Sequence, residues 1–138
     1  MAPIQMTRPV AEWIAQLTSS LPAERRSAAA ALGASGQAAA VEALVGALDD
    51  SDRDVRFEAA CALGGLHDDR AVGPLVVVLR TDTDPGVRAE AAQALGLIGD
   101  PTAREPLDQA HRHDRHPRVR GIAGWAIQQM SARRGRPR

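Results

Sequence analysis

The chain has 138 residues, about one domain's worth, and 44% of them are hydrophobic while only 2% are aromatic. Twenty-seven alanines against three aromatic side chains (Trp13, Phe57, Trp125) describe closely packed backbones, and argue against an aromatic-walled nucleotide or flavin pocket. The formal net charge is zero, from 17 arginines and 17 acidic residues with no lysine.

That balance hides a division. Residues 1–110 hold nine arginines against sixteen acids, a net of −7, and residues 111–138 hold eight against Asp114 alone, a net of +7. A basic end on an acidic body points to an acidic partner or to nucleic acid; a solvated arginine-rich tail is the plainer account. The single cysteine, Cys61, excludes an internal disulfide framework and a multi-cysteine zinc site. No apolar run reaches the roughly 18 residues of a membrane span, and residues 1–10 lack the apolar stretch of a signal peptide. A cytoplasmic protein without a cofactor or a metal is expected.

In chain order, the first predicted helix covers residues 9–18 with the word VAEWIAQL from Val10. Three helix pairs follow, over 21–50, 52–80 and 84–112, and a last helix covers 117–130. The pairs repeat one another. Arg25, Arg56, Arg88 and Arg120 are 31, 32 and 32 residues apart, inside ERRSAAAALG, VRFEAACALG, VRAEAAQALG and VRGIAGWAIQ. The second helices align as VEALVGAL, VGPLVVVL and REPLDQAH, so that Trp13, Leu44, Leu75 and Leu107 are equivalent, as are Leu17, Leu48, Leu79 and His111. Self-similarity at this period marks a stacked helical array.

Local signals agree with that register. Ala59, Ala60 and Leu63 fall three, four and seven residues after Arg56, which is one helical face. Pro85 and Pro117 sit at first helical positions, behind Asp84 and His116, and Asp52 and Asp84 are placed to cap free N–H groups. Gly64–Gly65 and Gly99 read as helix stops. Pro74 and Pro106 lie at equivalent places in second helices, where each either delays the start or bends the helix. Gln128, Gln129 and His116 replace repeat-typical residues, as expected of a terminal unit that faces water.

The pattern D-x-x-V-R-x-x-A-A-x-A-L-G, followed by G-D-x-x-A-x-x-P-L, resembles HEAT repeats of the short bacterial kind first recognised in phycobilisome lyases. The resemblance covers about residues 10–130 and implies an all-α solenoid of about eight antiparallel helices, wound as a right-handed superhelix in a single domain over 1–131. It leaves function open, because a shared fold does not fix chemistry. In such repeats the second helices generally line the concave face.

On that face three rows cross the repeats: Ile14, Val45, Val76, Asp108; then Ala15, Gly46, Val77, Gln109; then Thr18, Asp49, Arg80, Arg112. Ile14, Val45, Val76, Val77, Arg80, Asp108 and Arg112 are the expected contacts for a protein or peptide partner, and the expected function is a non-catalytic interaction scaffold. The same valines could instead be second-layer core. A subunit of a bilin-lyase-type enzyme is the alternative that the resemblance suggests.

Other candidates read mainly as structure. The recurring Arg with Asp52 or Asp84 suggests a ladder between repeats. Diiron HEAT-repeat hydroxylases resemble this chain but carry His-Glu pairs as iron ligands; here Phe57 and Ala89 precede Glu58 and Glu90, so the histidines are missing. His111, His113 and His116 form HxHxxH among arginines, whose charge opposes a metal cation, and they read as a surface cluster. Residues 132–138 read as a basic tail dispensable for folding. Its Arg133, Arg134, Arg136 and Arg138, around an RGRP word that resembles an AT-hook, are possible nucleic-acid contacts.

Overall fold

The computed structural model describes residues 8–135. Eight α-helices are found among them, and no strand. They are α1 (Val10–Gln16), α2 (Pro22–Ser35), α3 (Ala40–Ala47), α4 (Arg53–Leu66), α5 (Val72–Thr81), α6 (Pro85–Ile98), α7 (Arg104–His113) and α8 (Pro117–Arg134). No helix among the described residues is long and apolar enough to cross a membrane.

Caps set the boundaries. The Asp52 carboxylate accepts from the N–H groups of Asp54 and Val55, Asp84 accepts from Val87, and the His116 ring accepts from Arg118. At the far ends Gly36 and Gly99 adopt left-handed backbone at φ 65° and 76°, which a residue without Cβ enters freely. Gly64–Gly65 does not stop α4. The helix runs to Leu66, and His67 takes the left-handed position at φ 51°.

Pro74 and Pro106 produce no bend. Each is the third residue of its helix, where the missing N–H has no partner to lose. A single 3-10 turn, Asp69–Ala71 or Pro101–Ala103, leads into each of these helices, and Asp68 or Asp100 caps the turn. The prolines delay the helix start.

The helices form two layers. In the first, α2, α4, α6 and α8 pack successively; α3, α5 and α7 then lie against them in a looser second layer. The alternation buries Leu32, Leu44, Leu63, Leu75, Leu95 and Leu107 completely. Close approach in the first layer depends on recurring glycines. A Cβ added to Gly33 would lie 2.9 Å from the Ala62 Cα, one on Gly64 2.9 Å from the Ala94 Cα, and one on Gly96 2.9 Å from the Ala126 Cα. Gly64 therefore serves this crossing and not a turn. In α8 the corresponding residue is Gln128, which is exposed.

Arginine and aspartate tie successive pairs together. Arg25 holds Asp50 through Nε and Nη2 at 2.8 and 3.0 Å, Arg56 holds Asp82 at 2.9 and 3.2 Å, and Arg88 holds Asp114 at 3.0 and 3.1 Å. The remaining Nη1 of each donates to a backbone oxygen six residues earlier: Ser19, Asp50 and Asp82. The expected ladder is therefore present, but its acids stand two residues before the capping ones. Asp52 and Asp84 are occupied with helix N-termini, and the intra-helix pairing with Arg56 and Arg88 does not form.

The last helix is longer than the expected 117–130. It continues through Arg134, where Arg133 donates from Nη1 to the Leu97 oxygen at 2.8 Å, and Arg104 reaches the Ser131 hydroxyl at 3.1 Å. No proline interrupts the helix before Pro137. Arg133 and Arg134 thus belong to α8 and not to a detached tail. Arg136 and Arg138 lie outside the described residues.

Candidate functional site

The second-layer helices succeed one another along the stack, so equivalent residues fall into rows. Ile14, Val45, Val76 and Asp108 are all half-buried. Ala15, Gly46, Val77 and Gln109 are all exposed, and so are Thr18, Asp49, Arg80 and Arg112. A helix turns 100° per residue, so one position separates a row leaning on the core from one standing clear of it.

Ile14, Val45 and Val76 pack against the core and form the floor of the face. Val77 differs. It is 58% exposed, and neighbouring positions Gly46 and Gly73 project no side chain. Only single apolar groups of this kind are ordinary on a surface; here one stands over an apolar floor between two charged edges. Glu42 and Glu105 are exposed toward the N-terminal ends of α3 and α7, and Arg80 and Arg112 toward the C-terminal ends of α5 and α7. Arg112 pairs with Asp108 at 3.3 Å, and both side chains remain largely open to water.

Two hollows adjoin this face. One of about 300 Å³ lies between α1 and α3, lined by Ile14, Leu17, Thr18, Ala43, Gly46 and Asp50. The other, about 510 Å³ and open, lies at the start of α7 against Pro101, Arg104, Glu105 and Asp108. Ile14 and Asp108 from the expected contacts line these two hollows, one at each end of the face.

On the first-layer helices, Glu58 and Cys61 of α4 stand near Glu90 of α6. Burial raises the Glu90 carboxyl above its ordinary range; the Cys61 hydrogen bond and the Arg118 charge oppose this, and the Glu58 charge adds to it. Burial also pushes the Cys61 thiol up, helped by the charges of Glu90 and Glu58, so the thiolate nucleophile is disfavoured. The donor set does not fit two irons, because Phe57 and Ala89 present carbon where imidazole nitrogen is required. Among the described residues, no group of three His, Cys, Asp or Glu side chains is gathered as a metal site would need.

The histidines near the α7–α8 junction have separate tasks. His111 bonds the Arg120 oxygen through Nδ1 at 2.9 Å, with its ring seated over Gly124. His116 caps α8. His113 is exposed at the end of α7. The Arg133 guanidinium is held by the Leu97 oxygen and covers Gly99, whereas Arg134 is exposed.

Sequence reasoning missed two features here. Asp50, Asp82 and Asp114 as ladder acids were visible as a second 32-residue series, in the shadow of the better-known cap positions. The outer pair Arg53–Asp84, at 2.8 Å, repeats nowhere and carried no signal.

The HEAT-repeat profile matches residues 10–76 and 48–128. Human deoxyhypusine hydroxylase, solved in complex with glycerol, is similar over 91% of this chain at 34% identity, with a TM-score of 0.81. The complex of CpcE and CpcF of phycocyanin lyase from Nostoc is similar over 96% of the chain at 27% identity, with a TM-score of 0.71. An engineered protein is similar over 89% at 28% identity, with a TM-score of 0.63. The chain spans 44% of the hydroxylase chain and 68% of the lyase chain. No curated protein matches it.

Proposed function

The chain belongs to the HEAT-repeat family, and from that premise we propose that it is a non-catalytic protein-binding module whose second-helix face docks a polypeptide partner. The observation that carries this reading is Val77, 58% exposed at the centre of an exposed row above the half-buried Ile14, Val45 and Val76. Arg80, Asp108 and Arg112 supply polar contacts along the edge, giving an apolar centre with a charged rim. The double variant Val77→Asp with Arg80→Glu tests it. Both side chains are exposed, so the melting temperature should stay put while partners retained from the source lysate are lost. Retention of the same partners by the variant refutes the reading.

A second reading is favoured by the likeness to the phycocyanin lyase complex, itself an assembly of two different chains. On this reading the chain is a subunit of a bilin-lyase-type enzyme, and its partner is a second such subunit. A change in visible absorption on mixing with a linear tetrapyrrole, alone or with that subunit, supports it. An unchanged spectrum in both mixtures rejects it.

A further inference from the structure

Three arginines in this chain grip an aspartate side-on, and a fourth is set in the same posture with its hand empty. Arg25, Arg56 and Arg88 each fix Nη1 on a backbone oxygen and offer Nε and Nη2 to Asp50, Asp82 and Asp114. Arg120 follows Arg88 by 32 residues and is fixed in the same way, with Nη1 donating to the Asp114 oxygen at 2.8 Å. It is half-buried, unlike the exposed Arg112, Arg115 and Arg118 nearby in sequence. Among the described residues no carboxylate meets its Nε–Nη2 edge, and no buried polar side-chain atom lacks a partner, so that edge faces water.

We propose that the Nε–Nη2 edge of Arg120 is a binding site for a carboxylate carried by an acidic polypeptide segment. The three occupied rungs act as internal references for the geometry: a planar carboxylate accepting two parallel N–H bonds, the strong form of this interaction. Anchoring at the Asp114 oxygen means that the side chain is already ordered, so binding does not bear the full cost of immobilising it. Residues 111–138 carry a net +7, which draws an acidic segment to this end. The occupant is a loop or extended segment and not another helix pair stacked in register, because the exposed Gln128 stands at the close-approach position that glycine holds in α2, α4 and α6. This site stands independently of the second-helix face.

The test uses the full chain labelled with ¹⁵N, following the arginine Nε–H signals while a blocked hexa-aspartate peptide is added at physiological ionic strength. The Arg120 signal should move toward those of Arg56 and Arg88 and saturate, with Arg115 and Arg118 moving little. Arg120→Lys keeps the charge but loses the two-point edge, and should weaken peptide binding about tenfold, against little change for Arg118→Lys. Circular dichroism checks that both variants fold, and the wild-type titration stands without them. Equal movement of all the arginines, or equal weakening by the two lysine variants, would show diffuse charge attraction and overturn the proposal. So would the absence of any shift, or tighter engagement of Arg120 by a DNA duplex than by the peptide.

Discussion

Arg88 in α6 holds Asp114, 26 residues further along, with hydrogen bonds of 3.0 and 3.1 Å, and both side chains are nearly excluded from water. The pair ties α6 to the turn between α7 and α8. Arg53 and Asp84 make the same kind of contact, but Arg53 is half exposed. Burial separates the two in energy: cutting a buried pair strands a charge, while an exposed pair exchanges one solvated partner for water.

Asp114→Ala should therefore destabilise the fold by about 3–5 kcal/mol, because it leaves Arg88 buried and alone. Arg53→Ala should cost far less, because water replaces the partner of an exposed pair. Urea unfolding of the two variants makes the comparison, and similar midpoints would show that the buried rungs are not structural.

Acid should loosen the same rungs. Burial opposes the Asp50 and Asp114 carboxylates, but the arginine hydrogen bonds, the N–H two residues on and the arginine charges outweigh it, holding both below the ordinary range. A lowered folded-state value means that the stabilisation is complete above the unfolded aspartate value, about 3.9, and is lost as the pH falls below it. The melting temperature should drop in that window, and Asp114→Asn should flatten the drop.

Glu90 has the opposite sign. Its raised value, due first to burial, means that the charged form is penalised in the fold at neutral pH, and that the penalty vanishes below the unfolded glutamate range. Glu90→Gln should raise the melting temperature at pH 7 and give no gain at low pH. A loss at neutral pH would show that the charge is needed where it stands.

Adjacent glycines should respond in opposite directions. Gly64→Ala drives a methyl group into the Ala94 backbone and should cost about 1–3 kcal/mol. A Cβ at Gly65 meets nothing within 4 Å, and Gly65→Ala should stabilise the helix by about 0.4–1 kcal/mol. Leu75→Ala, at a fully buried site, should cost about 2–5 kcal/mol. Thermal melts of the three variants rank them.

The repeat was legible because it reports on packing. Arg56, Ala59, Ala60 and Leu63 recur where the stack requires them, and the apolar period locates both layers. Gly64 was harder to read, since one residue type serves both helix stops and close crossings, and only the facing Ala94 decides between them. Pro74 could start a helix or bend one, and the extra 3-10 turn before Val72 settles it as a start. On the candidate face, Val76 and Val77 are indistinguishable in composition, and a difference of 100° around the helix packs one against the core and leaves the other exposed. The Arg133 bond to Leu97 joins residues 36 apart, and an arginine-rich word carries no sign of such an anchor.

Gln128 also makes the two ends of the stack unlike. A stack whose two ends matched would add copy to copy by one repeated screw motion, and contacts of that kind do not close into a ring unless the rotation permits. At the N-terminal end, α2 presents Ala31 at the position equivalent to Ala62, Ala94 and Ala126, the receiving half of the Gly–Ala crossing. At the matching position of α8 the exposed side chain of Gln128 stands in place of glycine. Gln128→Gly with His111→Leu should make the two ends more alike and favour end-to-end stacking of copies, which sedimentation velocity checks as a shift to larger species.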